Sequence, residues 1–492
     1  MMEKAREYHR PLYMCFIDLR KAYDSVDRAA LWELLQRTYS LPQELIAIIR
    51  AFHEHSTAAV RAYGKVSEEF EVTSGVRQGC VLAPTLFNMY FDAVIHMALE
   101  QHRSLGRGIV MLYQPEGMLV GNRRFNCRTL ISDLEYADDM TLVAASWEDL
   151  KAMLQSLDEK CQQMGLTIST KKTKTMAVLP SGDSVREQFP RPEAITLRPD
   201  SDPVKVVSNF EYLGSTMSDD CSLNAEVEAR ISKASRAFSS LSRILWYQRK
   251  IKQQTKIRLF NSVIVPVLTY GLESVALSMP HQNRLQSFVM RCLRIILGIS
   301  LREEKRSTEI RKVAKQQRMS SVLMRKRLCF VGHVERMKDE RVPKKLLVCA
   351  PEHGKRSAGG QRLRWSDVLT RDLTRCGLDQ CWREKALECD SWRQDIAVRT
   401  EKLNAEDEKE EQHRKDEKRR RRVESQMQSE AALACDWPGC TFQAVNRSGL
   451  INHQRQSHST PQLTPCPYCG REIRHQGLHN HKRFCKARPA VN

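Results

Sequence analysis

Two adjacent carboxylates, Asp138 and Asp139, follow Tyr136 and Ala137 and lie between short, partly β-branched apolar runs at residues 134–136 and 141–144. This pattern predicts a β-hairpin with residues 137–140 as its tight connection. Neighbouring acids at a hairpin tip raise each other's pKa, so a nearby cation, most naturally a divalent metal, would keep both ionised. Asp-Asp is also ordinary turn chemistry. The metal reading therefore needs a third carboxylate on another strand end. Asp18 supplies it: Leu12, Tyr13, Met14, Cys15, Phe16 and Ile17 form a continuous apolar run that predicts a strand buried on both faces and ending at the acid. An acid so placed is costly without a partner. Arg20, Lys21, Asp24, Asp27 and Arg28 read as a solvated turn, with Asp24, Ser25 or Asp27 capping a helix that carries Leu31, Leu34 and Leu35.

The elements that must position these acids follow from periodicity. Residues 84–102 place Leu86, Met89, Tyr90, Ala93, Val94 and Met97 at helical spacing, with Pro84 suited to the first turn. Residues 147–164 repeat the pattern with Leu150, Met153, Leu154, Leu157 and Cys161. Residues 180–203, rich in Pro, Ser and Asp, predict a loop. Helices are expected at 223–245 and 257–268, the first carrying Arg230, Lys233, Arg236 and Arg243 as a basic face, of the kind that follows nucleic-acid phosphates or simply meets solvent. Arg325, Lys326 and Arg327 beside Phe330, and Arg362 and Arg364 beside Trp365, suit RNA backbone contact with some stacking. His333 reads as structural. Residues 401–430 are nearly all charged or polar and end near four consecutive arginines, Arg419 to Arg422. They predict a linker, either a single charged helix or a disordered tether.

The 492 residues carry a net charge of +20, which favours a polyanionic partner over a membrane. No apolar run approaches the roughly 20 residues that span a bilayer, and no signal-peptide pattern opens the chain. Of the 16 cysteines, those before residue 400 show no pairing pattern, which points to a reducing compartment, nucleus or cytoplasm. The later ones have metal-ligand spacing. Cys435, Cys440, His453 and His458 fit a small zinc finger with Phe442 and Leu450 as its core. Cys466, Cys469, His481 and Cys485 form a second set, in which His475 or His479 could replace His481. Thiolates and imidazoles in fours select Zn²⁺. Arg447, Lys482 and Arg483 near the finger helices suit DNA or RNA contact, although such fingers also bind proteins.

Residues 16–26, Phe-Ile-Asp-Leu-Arg-Lys-Ala-Tyr-Asp-Ser-Val, resemble motif A of non-LTR (LINE-type) retrotransposon reverse transcriptases. Residues 75–87, from Gly75 through Gln78 and Gly79 to Phe87, resemble motif B, and Tyr136-Ala137-Asp138-Asp139 resembles motif C. Gly165 to Ile168 with Lys171, Lys172 and Lys174 is similar to motif D, and Phe210 to Gly214 to the primer-grip motif E. Three motifs in the expected order are far more specific than one. The resemblance implies an α+β fold: a reverse-transcriptase palm with helical thumb and connector, then a charged linker and two zinc fingers. The expected boundaries are 1–179 for the palm with motifs A to D, 180–219 for the loop and primer grip, and 220–300 for the thumb. A basic connector at 301–400, a linker at 401–432 and fingers at 433–460 and 464–488 complete the chain. Only residues 1–11, with Lys4, Arg6 and Arg10, precede motif A. The reading frame is thus expected to begin inside a longer polyprotein whose fingers subdomain is missing.

The resemblance implies roles. Asp18, Asp138 and Asp139 would be catalytic and would hold Mg²⁺ (or Mn²⁺). Leu19, Tyr23, Gln78, Gly79 and Lys172 would contact the incoming deoxynucleoside triphosphate, Tyr23 by excluding a 2′-hydroxyl. Tyr212, Leu213 and Gly214 would form the primer grip. The motif D lysines would protonate pyrophosphate or touch phosphates. The expected function is RNA-directed DNA synthesis on an RNA template from a DNA primer or target, in target-primed copying of a retroelement. The alternative is an inactive remnant that still binds nucleic acid and zinc, and an RNA-templated RNA polymerase is disfavoured by Tyr23.

Overall fold

The computed structural model describes residues 1–114, 125–180, 189, 192–303, 305–356, 362–430, 433–444, 447–458, 463–474 and 481. The chain divides into two compact units, Met1–Ala405 and Glu406–Asn492. No helix among the described residues is long and apolar enough to cross a membrane.

The first unit is built around strand β1, Leu12–Ile17, in which every residue is buried. Side chains alternate across a strand, so Tyr13, Cys15 and Ile17 enter one apolar cluster and Leu12, Met14 and Phe16 another. A continuous apolar run is what such a doubly covered strand requires. The Asp-Asp hairpin forms as β2, Asp133–Tyr136, and β3, Asp139–Ala144. The turn is tighter than the sequence predicts: Tyr136 pairs with Asp139, leaving Ala137 and Asp138 alone in the loop. β4, Lys174–Val178, and β5, Lys205–Val206, complete a sheet of order β5-β4-β1-β3-β2.

Two helices cover one face. Helix α1, Ala83–Ser104, begins with Pro84 in its first turn and buries Leu86, Tyr90, Ala93 and Val94. Met97 is instead 44% exposed, because Phe87, Phe91, Ile95 and Leu99 define a buried stripe offset from the one expected. Helix α2, Trp147–Gln163, is capped by Ser146, whose hydroxyl accepts the Asp149 N–H at 3.1 Å, and buries all five predicted core residues. The opposite face carries the hairpin β6, Asn209–Tyr212, with β7, Ser215–Ser218.

The helical region after it has its own core, around Trp246, Phe260, Leu268 and Leu293. Helix α3, Asn224–Ser240, opens it, and Pro266 sits in the first turn of Val265–Thr269, directly after a π-helical turn at Phe260–Ile264. A further cluster around Trp382 and Trp392 packs against α4, Met319–Glu335. Helix α5, Cys389–Glu430, takes in residues 401–430 of the predicted linker, so there the helical alternative is the one observed.

Among its described residues the second unit contains two small hairpins, Leu433–Ala434 with Gln443–Ala444 and Leu463–Pro465 with Glu472–Arg474. A short helix, Arg447–His453, follows the first.

Candidate active site and metal clusters

The β1/β3 ladder pairs Tyr13 with Ala144 and Ile17 with Met140. One further step of this register sets Asp18 against Asp139, where side chains on directly opposed residues lie roughly 5 Å apart at Cβ. Asp138 is the adjacent turn residue. The sheet thus brings the three predicted acids to one edge. Ala137 enters the turn at φ +57, a left-handed conformation that costs a non-glycine residue about 1–2 kcal/mol and tends to persist at functional sites. Burial, followed by the charges of Asp138 and Asp18, raises the Asp139 pKa from its ordinary value.

Asp18 is held from both sides of its backbone. Its N–H reaches Thr173 Oγ1 at 3.2 Å, and its carbonyl accepts the Ser169 N–H at 2.8 Å. Lys172 Nζ lies 3.2 Å from Oδ2, close enough for charge pairing, yet Oδ2 is shielded from solvent and receives no well-aligned hydrogen bond. A buried carboxylate oxygen with a neighbour but no aligned donor, beside two further carboxylates, suits a hard divalent cation. The acids are not gathered as closely as the cysteine and histidine sets described below: among the described residues, only those sets have all donor atoms within 4.8 Å of one another.

The other predicted residues surround this edge. Leu19 bridges to Ile168 in an isolated antiparallel pair, which fastens motif A to motif D. The Tyr23 ring stacks on Phe87 at 4.7 Å; burial and then the Asp138 charge raise its pKa. The Gln78 amide donates to Asp24 Oδ1 at 3.1 Å, and Gly79 adopts φ +88 with open space where a side chain would stand. Phe16 on β1 stacks on Phe210 at 4.6 Å and meets Tyr212 at 5.2 Å, which docks the β6–β7 hairpin beneath the acids. Burial raises the Tyr212 pKa, and the Asp139 charge adds to the shift. Leu213 and Gly214, both at positive φ, form the tip of that hairpin.

Several basic residues expected at a nucleic-acid face have internal partners instead. Arg230 is buried, donates to Glu226 Oε1 at 2.6 Å and to the Gly214 carbonyl, and lies 4.8 Å from the Tyr270 ring centre. Lys233 contacts Glu211 at 2.5 Å and the Gly214 carbonyl at 3.3 Å. These two residues clamp the β6–β7 turn, leaving Arg236 and Arg243 as the exposed members of the predicted basic face. Arg327 forms a buried pair with Asp372. Arg364 pairs with Asp367 and with Glu7, and the Trp365 indole donates to the Glu273 carbonyl at 2.8 Å. Near the N-terminus, Lys4 pairs with Glu7 at 2.8 Å and Arg6 donates to the Cys221 carbonyl at 3.0 Å.

The sequence reading missed one buttress. Arg198 donates to both oxygens of buried Asp158, at 3.0 and 2.9 Å, and to the Ile168 carbonyl at 3.0 Å, steadying the motif D segment. Its only sequence signal, an arginine in a Pro-rich loop, does not reveal a partner forty residues away.

The described members of both cysteine and histidine sets are assembled. Donor atoms of Cys435, Cys440, His453 and His458 all lie within 4.8 Å of one another, as do those of Cys466, Cys469 and His481. Cys440 Sγ is 3.1 Å from His453 Nε2, and Cys469 Sγ is 3.3 Å from His481 Nε2. Tetrahedral zinc with bonds of about 2.0–2.3 Å requires separations of this order. Cys485, His475 and His479 lie outside the described residues. Phe442 stacks on His453 at 3.9 Å yet is 40% exposed, so it covers a ligand rather than filling a core.

Residues 2–217 match the family described as reverse transcriptase (RNA-dependent DNA polymerase). Residues 2–217 are thus similar to a reverse transcriptase domain. An uncharacterised transposon-derived protein of Caenorhabditis elegans is 28% identical over 255 residues, covering 51% of this chain and 88% of that protein. The Pol polyprotein of a type-1 retrotransposable element R2 from Nasonia vitripennis is 30% identical over 182 residues, 37% of this chain and 16% of the polyprotein. The chain thus spans most of the worm protein but about one sixth of the R2 polyprotein. A telomerase from Candida tropicalis, in complex with a fragment of telomeric RNA, superposes with a TM-score of 0.31 at 14% identity, covering 68% of this chain and 48% of the telomerase. At that score the likeness adds nothing to the assignment.

Proposed function

We propose that the chain is an RNA-directed DNA polymerase of a non-LTR retrotransposon, extending a DNA primer or nicked target on an RNA template. The carrying observation is the sheet edge where Asp18, Asp138 and Asp139 converge and the buried Asp18 Oδ2 lacks an aligned donor. Under this reading the three acids hold Mg²⁺ or Mn²⁺. Bound divalent cations would polarise the primer 3′-hydroxyl and neutralise the departing pyrophosphate. Leu19 lines the same edge through its backbone. Tyr23, backed by Phe87, stands where a 2′-hydroxyl would collide, selecting deoxynucleoside triphosphates. Gln78 and Gly79 border the incoming nucleotide. Lys172, already beside Asp18, meets the triphosphate. Tyr212, Leu213 and Gly214 seat the primer end, held by Arg230 and Lys233. The two cysteine and histidine sets bind Zn²⁺ and keep the protein on nucleic acid, in the nucleus or cytoplasm, where thiols stay reduced.

The test is primer extension on an RNA template by the purified chain with Mg²⁺ or Mn²⁺, beside Asp138→Ala and Asp139→Ala. Deoxynucleotide incorporation that both variants abolish is expected. Absence of incorporation, with zinc and RNA retained, would contradict the reading and leave a nucleic-acid-binding remnant.

A further inference from the structure

The loops carrying motifs A and B are laced together through a residue that sequence reading leaves in a solvated turn. Arg28 opens the helix Arg28–Arg37, capped by Asp27, whose Oδ1 accepts the Ala30 N–H at 3.0 Å. Its guanidinium donates to four backbone carbonyls outside that helix. Nε reaches Gly75 at 2.9 Å, Nη1 reaches His53 at 2.8 Å and Val72 at 2.9 Å, and Nη2 reaches Ser74 at 3.2 Å. No carboxylate lies within ion-pair distance among the described residues, so the donor fork serves backbone alone, three carbonyls of the 72–75 loop and that of His53.

The same loop is sewn to motif A by its own backbone. The Gly75 N–H donates to the Val26 carbonyl and the Val76 N–H to the Tyr23 carbonyl, both at 2.9 Å. Ser74 Oγ donates to the Asp24 carbonyl at 3.1 Å, and the Gln78 amide to the Asp24 carboxylate. The approach is so close that a Cβ on Gly75 would stand 2.7 Å from Asp24 Cα, and Gly75 is at φ +78. Backbone carbonyls turned toward one point repel each other unless a donor stands among them. A planar guanidinium can satisfy several at fixed angles, whereas an ammonium acts as a compact point charge.

We propose that Arg28 is a positioning residue for nucleotide binding: by drawing the carbonyls of His53, Val72, Ser74 and Gly75 onto one guanidinium, it fixes the motif B turn against motif A. It thereby sets the spacing between Tyr23 and the Gln78–Gly79 pair. This inference rests on the polymerase reading for its kinetic consequence, but the brace itself is measurable without catalysis. Misplacement of a substrate-contacting group by about an ångström can change rates up to a hundredfold.

The experiment compares the full chain with Arg28→Lys and Arg28→Met. The first readout is steady-state incorporation on a primer and RNA template, with KM for the deoxynucleotide and kcat determined separately and ribonucleotide incorporation measured in parallel. The second is amide hydrogen exchange over residues 72–79. Both variants should lower kcat/KM by roughly tenfold to a hundredfold, Arg28→Lys less than Arg28→Met, with part of the loss in a raised KM and with weaker discrimination against ribonucleotides. The Gly75 and Val76 amides should exchange faster while the β1 amides keep their protection. A lowered melting temperature with unchanged KM and unchanged exchange at Gly75 and Val76 would overturn the proposal. If the wild-type chain incorporates nothing, the polymerase reading fails, and the exchange measurement alone decides whether Arg28 holds the turn.

Discussion

The acidic edge of the sheet and the helical region that follows it in the chain use charge in opposite ways. At the edge, Asp18, Asp138 and Asp139 converge with one lysine beside them, and the Asp139 pKa is driven up by burial and by its acidic neighbours. In the helical region several buried arginines meet opposite charges, Arg230 with Glu226, Arg327 with Asp372, and Arg364 with Glu7 and Asp367, while buried Lys256 donates to the Trp246 carbonyl at 2.8 Å. The difference separates charges that hold the protein together from charges available to a ligand. A net charge of +20 suggests a polyanionic partner, but it does not say which arginines face it. Arg230 and Arg327 belong to the fold, whereas Arg236 and Arg243 remain at the surface.

The largest expected effect comes from removing the converging acids. Asp18→Asn, Asp138→Asn or Asp139→Asn should each reduce incorporation by about three orders of magnitude or more, because metal-assisted charge stabilisation contributes several kcal/mol. The same variants should melt at or above the wild-type temperature, since each removes repulsion. A clear fall in melting temperature would show that the acids are structural.

In the helical region the result should be reversed. Asp372→Ala leaves the Arg327 guanidinium buried without its partner and should cost about 3–5 kcal/mol in denaturant unfolding. The double variant Arg327→Met with Asp372→Leu should recover most of that loss, because well-packed apolar residues of similar volume often replace a buried pair without penalty. A double variant as unstable as the single one would contradict this account of the pair.

The second unit gives a third contrast, in which charge and fold are coupled through metal. Cys440→Ser, or prolonged chelation, should release zinc from the first cluster and unfold the small finger, which forms no apolar cluster of its own among the described residues. The first unit's melting transition should not move. Zinc content measured alongside calorimetry tests both statements, and a shift of the main transition would contradict them.

The length of each apolar pattern decided how much could be read in advance. β1 was legible because six consecutive apolar residues suit a strand covered on both faces, and α2 because five core positions recur at helical spacing. The approach of Asp18 to Asp138 and Asp139 follows from the register between β1 and β3, which the sequence presents only as separate strand ends. Arg230 illustrates what was not legible. Its spacing from Lys233 and Arg236 is that of a solvent-facing stripe, but Glu226 one turn earlier and the Gly214 carbonyl draw it inward. Lys233 likewise turns to a partner 22 residues away in the β6–β7 hairpin. Pairing of this kind depends on the tertiary arrangement, and composition carries no trace of it.

The smallest expected effect is in pH dependence, where the two regions should differ in sign. Burial alone would raise the Glu7 pKa, but Lys4 and Arg364 bring it below the ordinary value. Its ionised form therefore contributes stability above the unfolded-state pKa, and that stability is lost as pH falls through the lower folded-state value. Asp139 is raised, so its ionised form destabilises the metal-free fold, and the penalty is relieved as pH falls through its raised pKa. In metal-free buffer, Asp139→Asn should thus be slightly more stable than wild type at neutral pH, and the advantage should vanish below about pH 4. An advantage independent of pH would remove the titration argument.

The most direct test of the central claim is Mn²⁺ binding to the zinc-loaded full chain, followed by electron paramagnetic resonance and compared with Asp18→Asn and Asp139→Asn. The account predicts binding by the wild-type chain that either substitution abolishes, and that weakens with acidification sooner than an ordinary aspartate would require. Mn²⁺ affinity unchanged by both substitutions would contradict it.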